Sequence, residues 1–148
     1  MKKMMMVAGL AALLVGCKDD EKSKSNTELL TAENWLTTSV TIRTVGPTSD
    51  TTIDITPEDA CELDNIVKFN LDYTYSSEEG ATKCDTNDNQ IIESGSWSFK
   101  NDEKTLEIIS GTDTQTMNIN VLNASTLEVG FSDTNLNYIS TYSATFKH

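Results

Sequence analysis

The chain has 148 residues, 23 of them acidic and 11 basic, for a formal net charge of −12. Nucleic acid and anionic lipid headgroups are captured through basic patches, so this balance argues against both as charge partners. The single histidine, His148, leaves the usual nucleophilic machinery without an interior base, and no catalytic residue is assigned.

Met1-Lys2-Lys3 leads into the apolar run Met4 to Val15. A basic start and a short hydrophobic core in that order predict a secretory signal, too short for a membrane span. The run ends Leu14-Val15-Gly16-Cys17. Small residues before a cysteine let the processing peptidase reach its bond, and the segment resembles a bacterial lipobox. That resemblance implies a signal peptide over residues 1–16, cleavage before Cys17 and lipid on its thiol. Each buried lipid methylene contributes about 0.8 kcal/mol, so acyl chains can hold a protein on a membrane without a spanning helix.

Directly after the cysteine, Lys18-Asp19-Asp20-Glu21 is similar to the surface-export tag of Bacteroidota lipoproteins; without that likeness it reads as a charged spacer. The expected location is the outer membrane, anchored through the lipid on Cys17 and exposed at the cell surface. Lys22-Ser23-Lys24-Ser25-Asn26 is polar and lacks apolar periodicity, so residues 17–28 read as lipidated cysteine and flexible tether.

With Cys17 taken by lipid, Cys61 and Cys84 remain as a pair without a competitor in an oxidising compartment, and a disulfide between them is expected. Such a closed loop would add roughly 3 kcal/mol to stability. A thiolate metal site lacks ligands, since neither cysteine belongs to a Cys-x-x-Cys pair and His148 is the only histidine. No metal or cofactor is assigned.

Residues 29–148 make one domain, rich in Thr, Ser, Val, Ile and Tyr, a composition suited to strands. A short helical turn is expected around Glu28 to Glu33. Another is expected at Thr56-Pro57-Glu58-Asp59, where threonine can cap, proline fits the first helical position and acids favour the N-terminus. Period-two patterns predict eight strands: Trp35 to Val45, Ile66 to Asn70, Tyr73 to Ser77, Ser94 to Lys100, Thr105 to Ser110, Gln115 to Leu122, Thr126 to Phe131 and Tyr138 to Lys147.

Alternation is clearest in Met117, Ile119 and Val121 against Thr116, Asn118 and Asn120, and in Leu127, Val129 and Phe131 against Glu128 and Gly130. Asn101-Asp102-Glu103-Lys104 and Asn123-Ala124-Ser125 read as turns between antiparallel neighbours. The expected fold is all-β, an eight-stranded antiparallel up-and-down barrel with its apolar face inside. A two-sheet sandwich has the same periodicity. An eight-stranded barrel can be filled by its own side chains or can hold one small ligand.

The residues from about Leu29 to Phe146 carry a further likeness. Leu30-x4-Trp35, Cys61-x2-Asp64-Asn65-x3-Phe69, Gly80-x2-Lys83-Cys84, Gly95-Ser96-Trp97-Ser98-Phe99, Thr105-Leu106-Glu107-Ile108 and Ile119-x2-Leu122-x4-Leu127-Glu128-Val129 occur in that order. Together they resemble the lipocalin-like domain of small Bacteroidota lipoproteins. The resemblance implies an eight-stranded barrel, a Cys61 to Cys84 bridge and a non-enzymatic protein, and it names no ligand. One departure is Leu71-Asp72-Tyr73, where the family usually places a turn glycine.

Asp85-Thr86-Asn87-Asp88-Asn89 sets oxygen side chains at alternate positions as a calcium loop begins, with Ile92 at the apolar position. Gln90 then replaces the turn glycine and Ser96 the bidentate glutamate, so the segment is read as a solvated turn. No carboxylate pair stands out as a glycosidase site. The aromatics Trp35, Tyr73, Tyr75, Trp97, Phe99, Phe131, Tyr138 and Tyr142 are candidates for core or for a pocket lining. The sequence thus points to a lipid-anchored, non-catalytic barrel that binds a small, largely apolar molecule. The alternative is a filled barrel acting as an interaction or inhibitor module on another envelope protein.

Overall fold

Ser25 caps the first element, and its choice of partner follows from the spacing Ser-x-x-Glu. Its amide donates to Glu28 Oε2 at 2.7 Å and its Oγ accepts from the Glu28 amide at 3.2 Å, a capping box that starts helix α1, Asn26–Leu30. The computed structural model describes residues 23–148; the expected signal peptide 1–16, Cys17 and the Lys18 to Glu21 tag lie outside the described residues. The segment read as tether therefore ends at its capping serine, and the helical turn expected at Glu28 to Glu33 lies a few residues earlier.

Nine strands follow: β1 (Trp35–Val45), β2 (Asp50–Asp54), β3 (Ile66–Phe69), β4 (Thr74–Glu78), β5 (Ile91–Lys100), β6 (Thr105–Ser110), β7 (Asp113–Leu122), β8 (Thr126–Asn135) and β9 (Tyr138–Lys147). A short helix α2, Ala60–Leu63, lies between β2 and β3. From β3 to β9 each strand pairs antiparallel with the next, and β9 returns to β1 from Leu36↔Lys147 to Val45↔Ile139. Together with the β1–β3 contact, Trp35↔Val67 and Leu36↔Ile66, this closes an eight-stranded antiparallel barrel. A sandwich would have left the β1–β9 edges unpaired.

The ninth strand, β2, was not legible as a strand, because Asp50-Thr51-Thr52-Ile53-Asp54 is exposed throughout and has one apolar residue. It forms as the return arm of a hairpin on β1. Gly46 donates its amide to Ser49 O at 2.8 Å, and Arg43 clasps Asp50 at 2.6 Å. β2 and β3 run along the same edge of β1, one beside each half. The helical turn expected at Thr56 to Asp59 falls instead at α2. Thr56 is engaged elsewhere, accepting from the Val40 amide at 2.8 Å and donating to Asp54 Oδ1 at 2.6 Å.

Two local features re-aim side chains. In the turn after β3, Tyr73 stands where glycine is usual and adopts a left-handed φ of 65°, so β4 starts at Thr74 rather than at Tyr73. In β7 the register with β8 shifts between Ile119 and Val121. Beyond that bulge Val121 opposes Glu128 and Leu122 opposes Leu127, which puts Leu122, not the expected Val121, on the inner face. Gly95 is needed where β5 crosses β6, since a Cβ there would run into the Ile109 carbonyl.

One end of the barrel is closed. Leu30 and Trp35 are fully buried, and the Trp35 indole donates to Leu30 O at 2.9 Å. Phe69, Trp97, Leu106 and Leu127 pack into the same core, with Phe99, Leu122 and Phe146 around it. At the opposite end the strands run on past this core. The outer parts of β5, β7 and β8 are exposed on both faces, and there β5, β7 and β8 begin or end beyond the expected bounds because no alternation marks them.

Candidate functional site

Pairing across the barrel fixes which side chains point inward. Val40 of β1 faces Ala144 of β9, which faces Val129 of β8, while Phe131 faces Tyr142. Met117 of β7 faces Leu106 of β6, and Gln115 faces Ile108. These residues do not meet at the centre. They enclose a cavity of about 360 Å³ with walls from Val40, Ile108, Met117, Val129, Phe131, Tyr142 and Ala144, and with Val67, Phe69, Leu106, Leu127 and Phe146 toward the closed end. That volume is within the range of small-molecule pockets, and so is the largely apolar wall.

A second chamber of about 440 Å³ adjoins it and shares Tyr75, Ile108 and Gln115 with the first. Its other walls are Glu93, Ser110, Asp113 and Thr114, so its chemistry is polar and acidic. The Tyr75 hydroxyl donates to Glu93 Oε2 at 3.3 Å. Burial, followed by the neighbouring Glu93 charge and that hydrogen bond, pushes the Tyr75 hydroxyl up to about 12, so it remains a donor at any physiological pH. The site is therefore an apolar chamber with a polar, acidic outer room, divided at Tyr75 and Gln115.

The sequence-predicted aromatics separate into three groups. Tyr75, Phe131 and Tyr142 line the cavity, the last two stacked with centroids 4.6 Å apart and ring planes 10° from parallel. Trp35 and Trp97 are core: Trp97 donates its indole N–H to Asn70 O at 3.1 Å and meets Phe69 and Phe99 edge-on. Tyr73 is neither. Its left-handed backbone takes it out of the strand alternation, and it stays more than half exposed with its ring against Trp97. Tyr138 is half exposed at the start of β9.

The lining residues that pattern reading did not single out include Val40, Val67, Ala144 and Phe146. Their signal was the alternation itself, which marks an inner face without saying whether that face is filled. Glu93 and Asp113 lie outside the expected strands and carried no signal, and Gln115, at the start of one, had nothing to mark it as lining.

Cys61 and Cys84 form the expected disulfide, with Cα atoms 5.2 Å apart. It joins the excursion between β2 and β3 to the connection between β4 and β5. Asp64 reinforces it, accepting from the Thr82 amide at 2.8 Å and hydroxyl at 2.9 Å, while Gly80 donates its amide to Asn65 Oδ1 at 3.2 Å. The Thr82 hydrogen bonds hold the Asp64 carboxyl below its ordinary range. The residues of the Cys-x2-Asp-Asn and Gly-x2-Lys-Cys stretches are thus a structural clasp. Asp85 Oδ1 accepts from the Asn87 amide and side chain at 2.9 and 3.0 Å, and Lys83 donates to Asp88 O. The calcium-like stretch is folded as an internally bonded turn.

His148 lies at the closed end, its ring against Trp35 with centroids 3.9 Å apart and planes tilted by 34°, and its Nδ1 2.9 Å from Asn34 O. It is remote from both chambers, which therefore hold hydrogen-bonding and carboxylate groups and no imidazole. No curated protein matches this chain. The family model of the lipocalin-like domain matches residues 30–129, which run from the Leu30 plug to Val129 in the cavity wall. The rest of β8 and all of β9 complete the ring beyond that span and add Phe131, Tyr142, Ala144 and Phe146 to the lining. The chain belongs to the lipocalin-like domain family.

Proposed function

We propose that this protein is a lipid-anchored lipoprotein of the Bacteroidota outer membrane, displayed at the cell surface, that carries a small, largely apolar molecule in its barrel and does no chemistry on it. The observation that carries the binding reading is the apolar cavity of about 360 Å³ between Val40, Phe131 and Ala144. A barrel of eight strands can be filled by its own side chains, and this one keeps space above a packed base. Burial of an apolar guest there contributes about 25 cal/mol per Å² removed from water.

The anchoring part rests on the sequence: the basic start, the apolar run and Cys17 in register, followed by Lys18-Asp19-Asp20-Glu21. α1 leads into β1 at the closed end, opposite the mouth through which a ligand would exchange. The experiment for binding is titration of residues 18–148, which contain the whole barrel, with the apolar reporter N-phenyl-1-naphthylamine. A saturable rise in its emission at one reporter per chain supports the carrier reading; no rise overturns it. For the anchor, Cys17→Ala should abolish labelling of the protein by a fatty-acid probe, and continued labelling would overturn it.

A second reading, docking on another envelope protein, is favoured by one place. Leu136, at the tip of the β8–β9 hairpin, is 91% exposed and takes a left-handed φ of 54°, a position where glycine is usual. Tyr138, Ile139 and Val45 are exposed beside it.

A further inference from the structure

Resting on the carrier reading, we propose that the ligand is an amphiphile with a cationic or hydrogen-bond-donating head group, its apolar part in the inner chamber and its head beside Glu93 and Asp113. The two chambers share Tyr75, Ile108 and Gln115, so a molecule longer than the inner chamber continues directly into the outer one. Its tail would meet aliphatic and aromatic side chains, and its head would meet oxygen acceptors.

The sign of the charge follows from the lining. The outer chamber presents the carboxylates of Glu93 and Asp113, the hydroxyls of Ser110 and Thr114 and the Gln115 amide. No lysine or arginine among the described residues lines either chamber. Three cations elsewhere on the barrel are paired with other carboxylates: Arg43 with Asp50, Lys68 with Glu78 and Lys100 with Glu107. Tyr75 spends its proton on Glu93, which fixes one carboxylate at the boundary between the chambers. The Asp113 carboxylate has no hydrogen-bond or ion-pair partner among the described residues. An anionic head, such as a fatty acid's, would be placed against two like charges with no counterion; an ammonium would complete the charge pattern.

The chemistry is tested with three probes of equal tail: decylamine, decanol and decanoate, each below its micelle concentration. They are read by displacement of N-phenyl-1-naphthylamine from residues 18–148 at neutral pH and low salt. Expected is tightest binding of the ammonium, by about tenfold over the carboxylate given two partly exposed carboxylates, with decanol between and the spread narrowing in high salt. Glu93→Gln together with Asp113→Asn, both at exposed positions, should remove the preference for decylamine over decanol. Decanoate binding as tightly as decylamine, or a preference that survives both substitutions, overturns the head-group assignment while the carrier reading stands. Displacement by none of the three while the reporter stays bound overturns the head-group assignment alone; failure of the reporter itself to bind overturns the carrier reading and the assignment with it.

Discussion

Ala144→Leu separates a real chamber from a packed interior. Ala144 is directly opposite Val40 on one side and Val129 on the other, and its side chain faces the cavity. In a close-packed core, three extra carbons would force neighbours off their rotamers and cost about 1–3 kcal/mol. In an open apolar chamber the same carbons leave water, contributing at most about 2.4 kcal/mol at about 0.8 kcal/mol each. Ordering the leucine side chain takes back about 0.5–1 kcal/mol. The expected outcome is a net gain of about 1–2 kcal/mol for ligand-free protein, together with weakened uptake of N-phenyl-1-naphthylamine, because part of the guest's space is filled. With a urea slope of about 1–3 kcal/mol per M, the unfolding midpoint should rise by roughly 0.3–2 M. A lower midpoint together with unchanged reporter binding would refute the reasoning, since it would mean that the interior at Ala144 is already full and that the reporter sits elsewhere.

Three further substitutions test the parts that hold the chamber. Replacing Cys61 and Cys84 by serine opens a loop of sequence separation 23 and should cost roughly 3.5 kcal/mol on the chain-entropy account, read as a fall in the urea midpoint; an unchanged midpoint would assign the clasp to Asp64 and Thr82 alone. Leu30→Ala removes a fully buried plug and should cost about 2–5 kcal/mol, seen by thermal melting, whereas a loss below about 1 kcal/mol would mean that α1 is not part of the core. Lys68, 2.6 Å from Glu78, and then the Ser76 hydroxyl hold the Glu78 carboxyl below its usual 4.5. A depressed folded value gives stability that is present above the unfolded value and lost as pH falls through the folded one. The stability difference between the unsubstituted protein and Glu78→Gln should accordingly be present at pH 6 and shrink below about pH 4.5; a difference independent of pH would contradict the ion pair.

Strand alternation carried most of the fold, and where it failed the reasons are local. β6 and β9 were legible from end to end because apolar residues recur at every second position, Leu106 and Ile108 in one and Tyr142, Ala144 and Phe146 in the other. β2 was not, since Ile53 is its one apolar residue and its pairing depends on the Gly46 turn and the Arg43–Asp50 clasp. The bulge in β7 that exchanged Val121 for Leu122 leaves no mark in a pattern where both residues are apolar. α2 moved past Thr56 because long-range bonding to Val40 competed with local capping.

The site was half legible. Phe131 and Tyr142 belong to visible inner faces, and Tyr75 sits where alternation put it. Whether inward side chains meet or leave a void depends on barrel closure and on small residues such as Ala144, which is not a property of any single strand. The acidic outer chamber was illegible for another reason. Glu93 and Asp113 come from different strands and were two among 23 acids until β5, β6 and β7 brought them to one end.

Native mass spectrometry of residues 18–148, released gently from the periplasm of a related host and compared with the denatured mass, tests the carrier claim most directly. The account predicts a reproducible excess mass that disappears on denaturation, and whose extracted component carries an apolar tail. A bare mass in the native spectrum, differing from the fully reduced chain only by the two hydrogens of the disulfide, would contradict it.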